Sequence, residues 1–158
     1  MFNRYVSSWN LRDRYMMGTL EALDKHLTTL NGKAKIVVWA HNSHIGDASA
    51  TEMGTRGEFN IGQLAREHYG KSAVNIGFTT YMGTVTTASD WDEPGQRRRV
   101  RPALPGSYEN VLHDTGLAKF FIKFDGSDAA IKELLTELRN PRLERAIGVV
   151  YRPDTERI

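Results

Sequence analysis

Three observations predict an α/β fold with a mostly parallel, or mixed, sheet flanked by helices. Amphipathic helical stripes alternate along the chain with short apolar or β-branched runs. One such run, Ile36-Val37-Val38-Trp39, is apolar at every position, as in a strand covered on both faces. Glycines at positions 32, 70 and 116 punctuate the pattern where helices should stop.

The elements follow in order. Met16, Leu20, Leu23, Leu27 and Leu30 are spaced by four and three, which predicts a helix from about Asp13 to Leu30, closed by Asn31-Gly32. Residues 36–39 form the strand that follows. Asn60 to Tyr69 reads as a second helix, with Gly70 as its stop. Ala73 to Thr80 is a further strand, extended by the β-branched Val85-Thr86-Thr87. From Ala88 to Pro105 no period survives, and Pro94-Gly95 marks a turn, so this stretch is expected to be a long loop of the lid or binding kind. Ser107 caps a short helix to about His113. Lys119 to Phe124 is a strand, Ser127 or Asp128 caps a helix to Leu138, and Ala146 to Tyr151 is the last strand.

Composition narrows the function classes. The 158 residues suffice for a single domain with its own core, and 40% hydrophobic with 25% charged residues is ordinary for a globular protein. A net charge of +2 with no basic stripe argues against nucleic acid. With no cysteine, neither a thiolate nucleophile nor a cysteine metal site is available. No apolar run reaches the length of a membrane span, and MFNRYVSSWN lacks the apolar core of a signal peptide, so a cytoplasmic location is expected.

The chemistry concentrates in IVVWAHNSHIGDA, residues 36–48. Ligands of α/β sheets bind past the C-terminal ends of strands, where His41 and His44 stand. One helical turn there would bring both imidazoles and Asp47 together. Imidazole titrates near neutrality and suits proton transfer from water, and Asp47 could hold its tautomer. No Gly-x-Ser-x-Gly elbow is present, so water activated by histidine is the natural nucleophile. Spacing alone leaves two other readings open. One is a hydrogen-bonded pair of structural histidines beside Trp39 and Asn42. The other is a metal site, which would need a third ligand from His68, His113, Glu52 or Glu58; spacing favours neither a metal nor any other cofactor.

The motifs Ser8-Trp9-Asn10-Leu11-Arg12-Asp13 and Trp39-Ala40-His41-Asn42-Ser43-His44-Ile45-Gly46-Asp47, in that order, resemble the erythromycin esterase family. Met53-Gly54, Tyr69-Gly70, Ile76-Gly77-Phe78, Leu104-Pro105-Gly106-Ser107-Tyr108-Glu109 and Ala146-Ile147-Gly148-Val149-Val150-Tyr151 extend the likeness over nearly the whole chain. The resemblance implies a hydrolase that opens carboxylic esters or macrolide lactones by water attack, with antibiotic resistance among its uses. It implies catalytic roles for His41 and His44, and a cleft shaped by Arg12 and Asp13; Asn42, Asp47 and Glu109 are expected, from their places in the sequence, to support the site. Helix capping is the alternative job for Asp13, and a surface role that for Glu109.

In the family, a further histidine with an acidic partner precedes these motifs as the proposed general base. Against that pattern, residues 1–158 read as one truncated domain, a C-terminal half. Such a half should leave strand edges and apolar faces uncovered and associate through them. The alternative to an esterase is a non-catalytic fragment, or an anion-binding partner module using Arg97-Arg98-Arg99 and Arg101, whose charges Asp90, Asp92 and Glu93 partly neutralise. Gly54 and Gly57 match no phosphate-binding fingerprint and should only bend the chain. Tyr81 and Tyr108 could donate to an oxyanion or simply pack.

Overall fold

The structure, a computed structural model, describes residues 4–124 and 128–156. The chain divides into two compact units, Met1–Phe78 and Thr79–Ile158.

The first unit is helical. Helix α1 spans Arg4–Asn31 and therefore begins nine residues before the expected Asp13. Residues 4–12 hold neither proline nor glycine, and tertiary bonds anchor them: Trp9 Nε1 donates to the Phe59 carbonyl at 2.8 Å, and the Asn10 side chain bonds Gly57 and Phe59. The expected stop holds. Gly32 takes φ 75° and its amide reaches back to the Thr28 carbonyl at 2.8 Å. The most buried face of α1 carries Asp13 and Met17. The leucine stripe lies beside it, with Leu20 and Leu27 half-buried and Leu23 and Leu30 exposed. Met16, Leu20 and Leu23 of the stripe line an open apolar groove of about 700 Å³ with Ile36, Val37, Val38 and Ile61.

Short helices follow: α2 (Asn42–Ile45), a 3-10 turn at Ala48–Ala50, α3 (Glu52–Thr55) and α4 (Ile61–Tyr69). Asn60 caps α4, its Oδ1 accepting from the Gln63 amide at 2.9 Å, a bond worth about 1 kcal/mol. Gly70 closes the helix at φ 55°.

The second unit holds the described sheet, an antiparallel pair of β1 (Gly83–Thr87) and β2 (Gln96–Val100) in which Val85 faces Arg98. The stretch expected to be a patternless loop thus contains a strand. Its consecutive arginines hid the period-2 signal, and the ladder to Val85, Thr86 and Thr87 supplies the partner that sequence pattern could not. Helices α5 (Tyr108–His113) and α6 (Ala129–Leu138) are capped by Ser107 and Asp128, while Ser127 lies outside the described residues. Thr87, Ala88, Val100, Ala103, Ser107, Glu109 and Tyr151 are buried at the centre of this unit. Arg145 ties it together: its guanidinium donates to the carbonyls of Thr80, Tyr81 and Arg101 and pairs with Glu156.

The mostly parallel sheet expected from the sequence is not found among the described residues. Residues 36–39, 73–80, 119–124 and 146–149 lie outside any ladder. The one parallel contact there is an isolated bridge from Ala88 to Val150. An all-apolar run marks a chain suited to burial on both faces, yet a parallel strand also needs hydrogen-bonded neighbours. Lacking them, Val37, Trp39, Val74 and Phe121 stay largely exposed. Mixed α and β content stands; among the described residues the sheet is small and antiparallel.

Candidate active site at the histidine loop

The histidine loop lies wholly in the first unit. His41 is the N-cap of α2, its Nδ1 accepting from the Ser43 amide at 3.2 Å and lying 2.9 Å from the Ser43 hydroxyl. The single turn closes through His44 N to His41 O at 2.8 Å, so the chain does make the helical turn that the spacing suggested. Asn42 locks the loop to the neighbouring segment by accepting from the Phe78 amide and donating to its carbonyl. Asn60, fully buried, donates to the Ser43 carbonyl at 2.8 Å and accepts from the Ala48 amide.

His44 points at α1. Its Nδ1 lies 2.9 Å from Oδ1 of Asp13, a carboxylate with no exposed surface. The same oxygen accepts from the Ile61 amide at 3.1 Å, at the start of α4. The Trp9 ring stacks on the imidazole with centroids 4.4 Å apart and planes 8° from parallel. Arg12 lies over Trp9 at 4.7 Å and brings Nη2 to 3.4 Å from Nε2 of His44. Residues 9, 12 and 13 share one face because they stand three and four apart on a helix. A guanidinium only donates, so its contact with Nε2 requires an acceptor there. The carboxylate in turn requires a donor at Nδ1. Together the partners assign the Nδ1–H tautomer and leave a lone pair on Nε2.

Asp47 stands elsewhere. It caps the 3-10 turn by accepting from the Ser49 amide and hydroxyl, and it pairs with Arg66 at 2.8 Å. The acid beside the His44 imidazole is thus Asp13. As a capped helix start at Asp13 was one expectation, its place in the helix interior is the informative outcome. Trp9 and Asn60 are parts of this arrangement that the residue types alone did not single out. Extending the helical register backward from Asp13 would have found Trp9.

Glu109 belongs to the second unit. It is buried, and its Oε1 accepts from the Thr79 hydroxyl at 2.6 Å and the Arg145 amide at 2.8 Å, while Oε2 has no partner. Glu144 has its pKa raised above the ordinary carboxylate value, first by burial and second by the charge of Glu109. A carboxyl raised on folding binds more protons in the native state, so stability should fall as pH rises from the ordinary glutamate pKa through the raised one. Glu144→Gln should flatten that slope in urea unfolding measured at stepped pH; an unchanged slope would remove Glu144 as its source.

The arginine run divides by strand alternation. Arg97 and Arg99 are exposed on one face of β2 and Arg98 is half-buried on the other, while Arg101 binds the Pro153 carbonyl. The four guanidinium groups therefore do not share one face. Tyr108 donates to the Leu138 and Asn140 carbonyls, and Tyr81 stacks on His113. Among the described residues no group of three or more His, Asp or Glu is arranged to hold a metal ion, and no helix is long and apolar enough to cross a membrane.

The family model for erythromycin esterase matches residues 2–158. The chain belongs to the erythromycin esterase family. Membership carries a hydrolase-like function at the level of the family. No solved structure matches the chain. In this member of the erythromycin esterase family, the Trp-Asn-x-Arg-Asp segment and the histidine loop, 31 residues apart at Asp13 and His44, meet in one hydrogen-bonded cluster.

Proposed function

We propose that the chain hydrolyses a carboxylic ester or lactone, with Nε2 of His44 as the base that activates water. The observation that carries this reading is the 2.9 Å bond from His44 Nδ1 to the fully buried Asp13 carboxylate. A buried anion on Nδ1 fixes the ring and stabilises the imidazolium that forms when Nε2 takes a proton. The water oxygen then bonds to the carbonyl carbon, and its proton passes to Nε2. When the tetrahedral intermediate breaks its C–O bond, that proton goes to the departing alkoxide. Arg12, beside Nε2, offers a guanidinium to the oxyanion that develops on the carbonyl. His41, held at the cap of the same turn, positions the ester.

Macrolide lactones belong in the substrate panel beside simple aryl esters. His44→Gln retains a donor for Asp13 and loses the base. It should lower kcat/KM by about 10²–10⁴-fold, the usual worth of a general base, with an unchanged circular dichroism spectrum. Full activity in that variant would remove His44 from the chemistry. A folded wild-type chain that turns over no ester in the panel would favour the non-catalytic alternative.

A further inference from the structure

We propose that Trp9 is a positioning residue for the ester hydrolysis described above, a reading on which this role depends. Its indole face carries the Arg12 guanidinium and the His44 imidazole side by side, so that oxyanion donor and base serve one ester. The imidazole lies 8° from the indole plane with centroids 4.4 Å apart, and Arg12 Cζ stands over the indole at 4.7 Å. Stacked atoms keep about 3.5 Å from a ring plane, so groups on opposite faces would be about 7 Å apart or more. Nη2 of Arg12 is 3.4 Å from Nε2 of His44, which puts both on one face. That face is fixed in place. Trp9 is half-buried, and its Nε1 donates to the Phe59 carbonyl at 2.8 Å.

Arg12 needs such a floor. Its side chain is 56% exposed, and Asp13 beside it commits Oδ1 to His44 and Ile61 while Oδ2 stays 3.9 Å from Arg12 Nε. An exposed arginine gives up rotamer freedom to stay beside one nitrogen, and the attraction of a cation to the ring face offsets that cost. The same face answers a charge problem. Once Nε2 takes the proton from water, two cations stand side by side. The negative π face under both, with the buried Asp13 carboxylate behind the imidazole, counters their repulsion. Nε2 has then stopped accepting, and the Arg12 N–H that rested on it is released to the oxyanion.

Trp9→Phe keeps an aromatic face and loses the indole N–H, whereas Trp9→Leu loses both. In ester hydrolysis by the whole chain, Trp9→Leu should lower kcat about tenfold or more, within reach of two cation–π contacts. KM should stay within about twofold, because Trp9 meets the reacting atoms only through Arg12 and His44. Trp9→Phe should recover most of kcat. Equal losses in the two variants would make Trp9 a strut for Phe59 and overturn the proposal, as would a loss carried by KM. Proton spectra need no substrate. The indole ring current should move the His44 ring protons upfield in the wild type, Trp9→Phe should keep most of that shift, and Trp9→Leu should abolish it with circular dichroism unchanged. His44 resonances unmoved by Trp9→Leu would overturn the shared face itself. Should Trp9→Leu unfold, Trp9→Met, longer and equally non-aromatic, carries the same expectations. Upfield His44 protons in a wild type that hydrolyses no ester would instead overturn the hydrolase reading, and the positioning role with it.

Discussion

Asp13→Asn should leave the first unit folded and cost ester hydrolysis about 10²–10⁴-fold, the range spanned by losing the anion behind a catalytic histidine. Asparagine has the same shape, and its oxygen can still accept from the Ile61 amide that Asp13 holds at 3.1 Å. Two orientations are open to it. With oxygen toward His44 the Nδ1–H tautomer survives, but the amide NH2 takes the place of Oδ2, which is buried without a partner and 3.9 Å from Arg12. With NH2 toward His44 the Ile61 bond is lost as well, because one oxygen of Asp13 serves both, and the imidazole must move its proton to Nε2, which can no longer act as a base. In both, the buried negative charge that stabilises the imidazolium is gone. Long-range nitrogen–proton spectra of the imidazole separate the two, because only the second exchanges the protonated nitrogen. Wild-type activity in Asp13→Asn would show that this carboxylate only supports the helix junction.

Why Asp13 escaped a full reading in the sequence has a physical answer. An amphipathic stripe is counted in apolar residues, and a buried carboxylate does not add to it. The helix therefore looked as if it began at Asp13, although it runs on to Arg4. Asp13 is buried because residues 44 and 61 bring it donors, and neither contact is encoded locally. The histidine turn was legible because its determinants are local: His41 caps, the next residues close one turn, and Gly46 ends it. Asp47 shows the opposite limit. Three residues after His44 it could have faced the imidazole, yet Ser49 and Arg66 supply nearer partners.

The helices fared better than the sheet for a related reason. A helix satisfies its own backbone, so the caps at Asn60, Ser107 and Asp128 and the stops at Gly32 and Gly70 could be read one segment at a time. A strand is defined by a neighbour. The apolar runs at 36–39 and 73–80 carry a strand's composition without a described partner, whereas Gln96–Val100 carries an unlikely composition and has one.

Gly62→Ala should unfold the first unit at markedly lower denaturant, by about 3 kcal/mol or more, the upper end for forcing atoms into a packed interior. A Cβ there would lie 2.1 Å from the Gly46 carbonyl oxygen, 2.3 Å from that of Ile45 and 2.4 Å from the Ile45 carbonyl carbon. All three are main-chain atoms, so no rotamer change relieves the overlap. Helix α4 would have to retreat from the turn that carries His44. The Ile61 amide, which precedes Gly62 and bonds Asp13, would retreat with it. The loss of stability should therefore arrive with a loss of hydrolysis in whatever fraction remains folded. Gly18→Ala is the matched control: it sits in α1 with nothing within 4 Å of its added carbon. There the same methyl group should stabilise by about 0.5–1 kcal/mol, because alanine loses less backbone entropy in a helix. Urea midpoints of the two variants should move in opposite directions. If Gly62→Ala matched the wild type, α4 would not lie against Ile45 and Gly46, and the geometry that presents Asp13 to His44 would have to be redrawn.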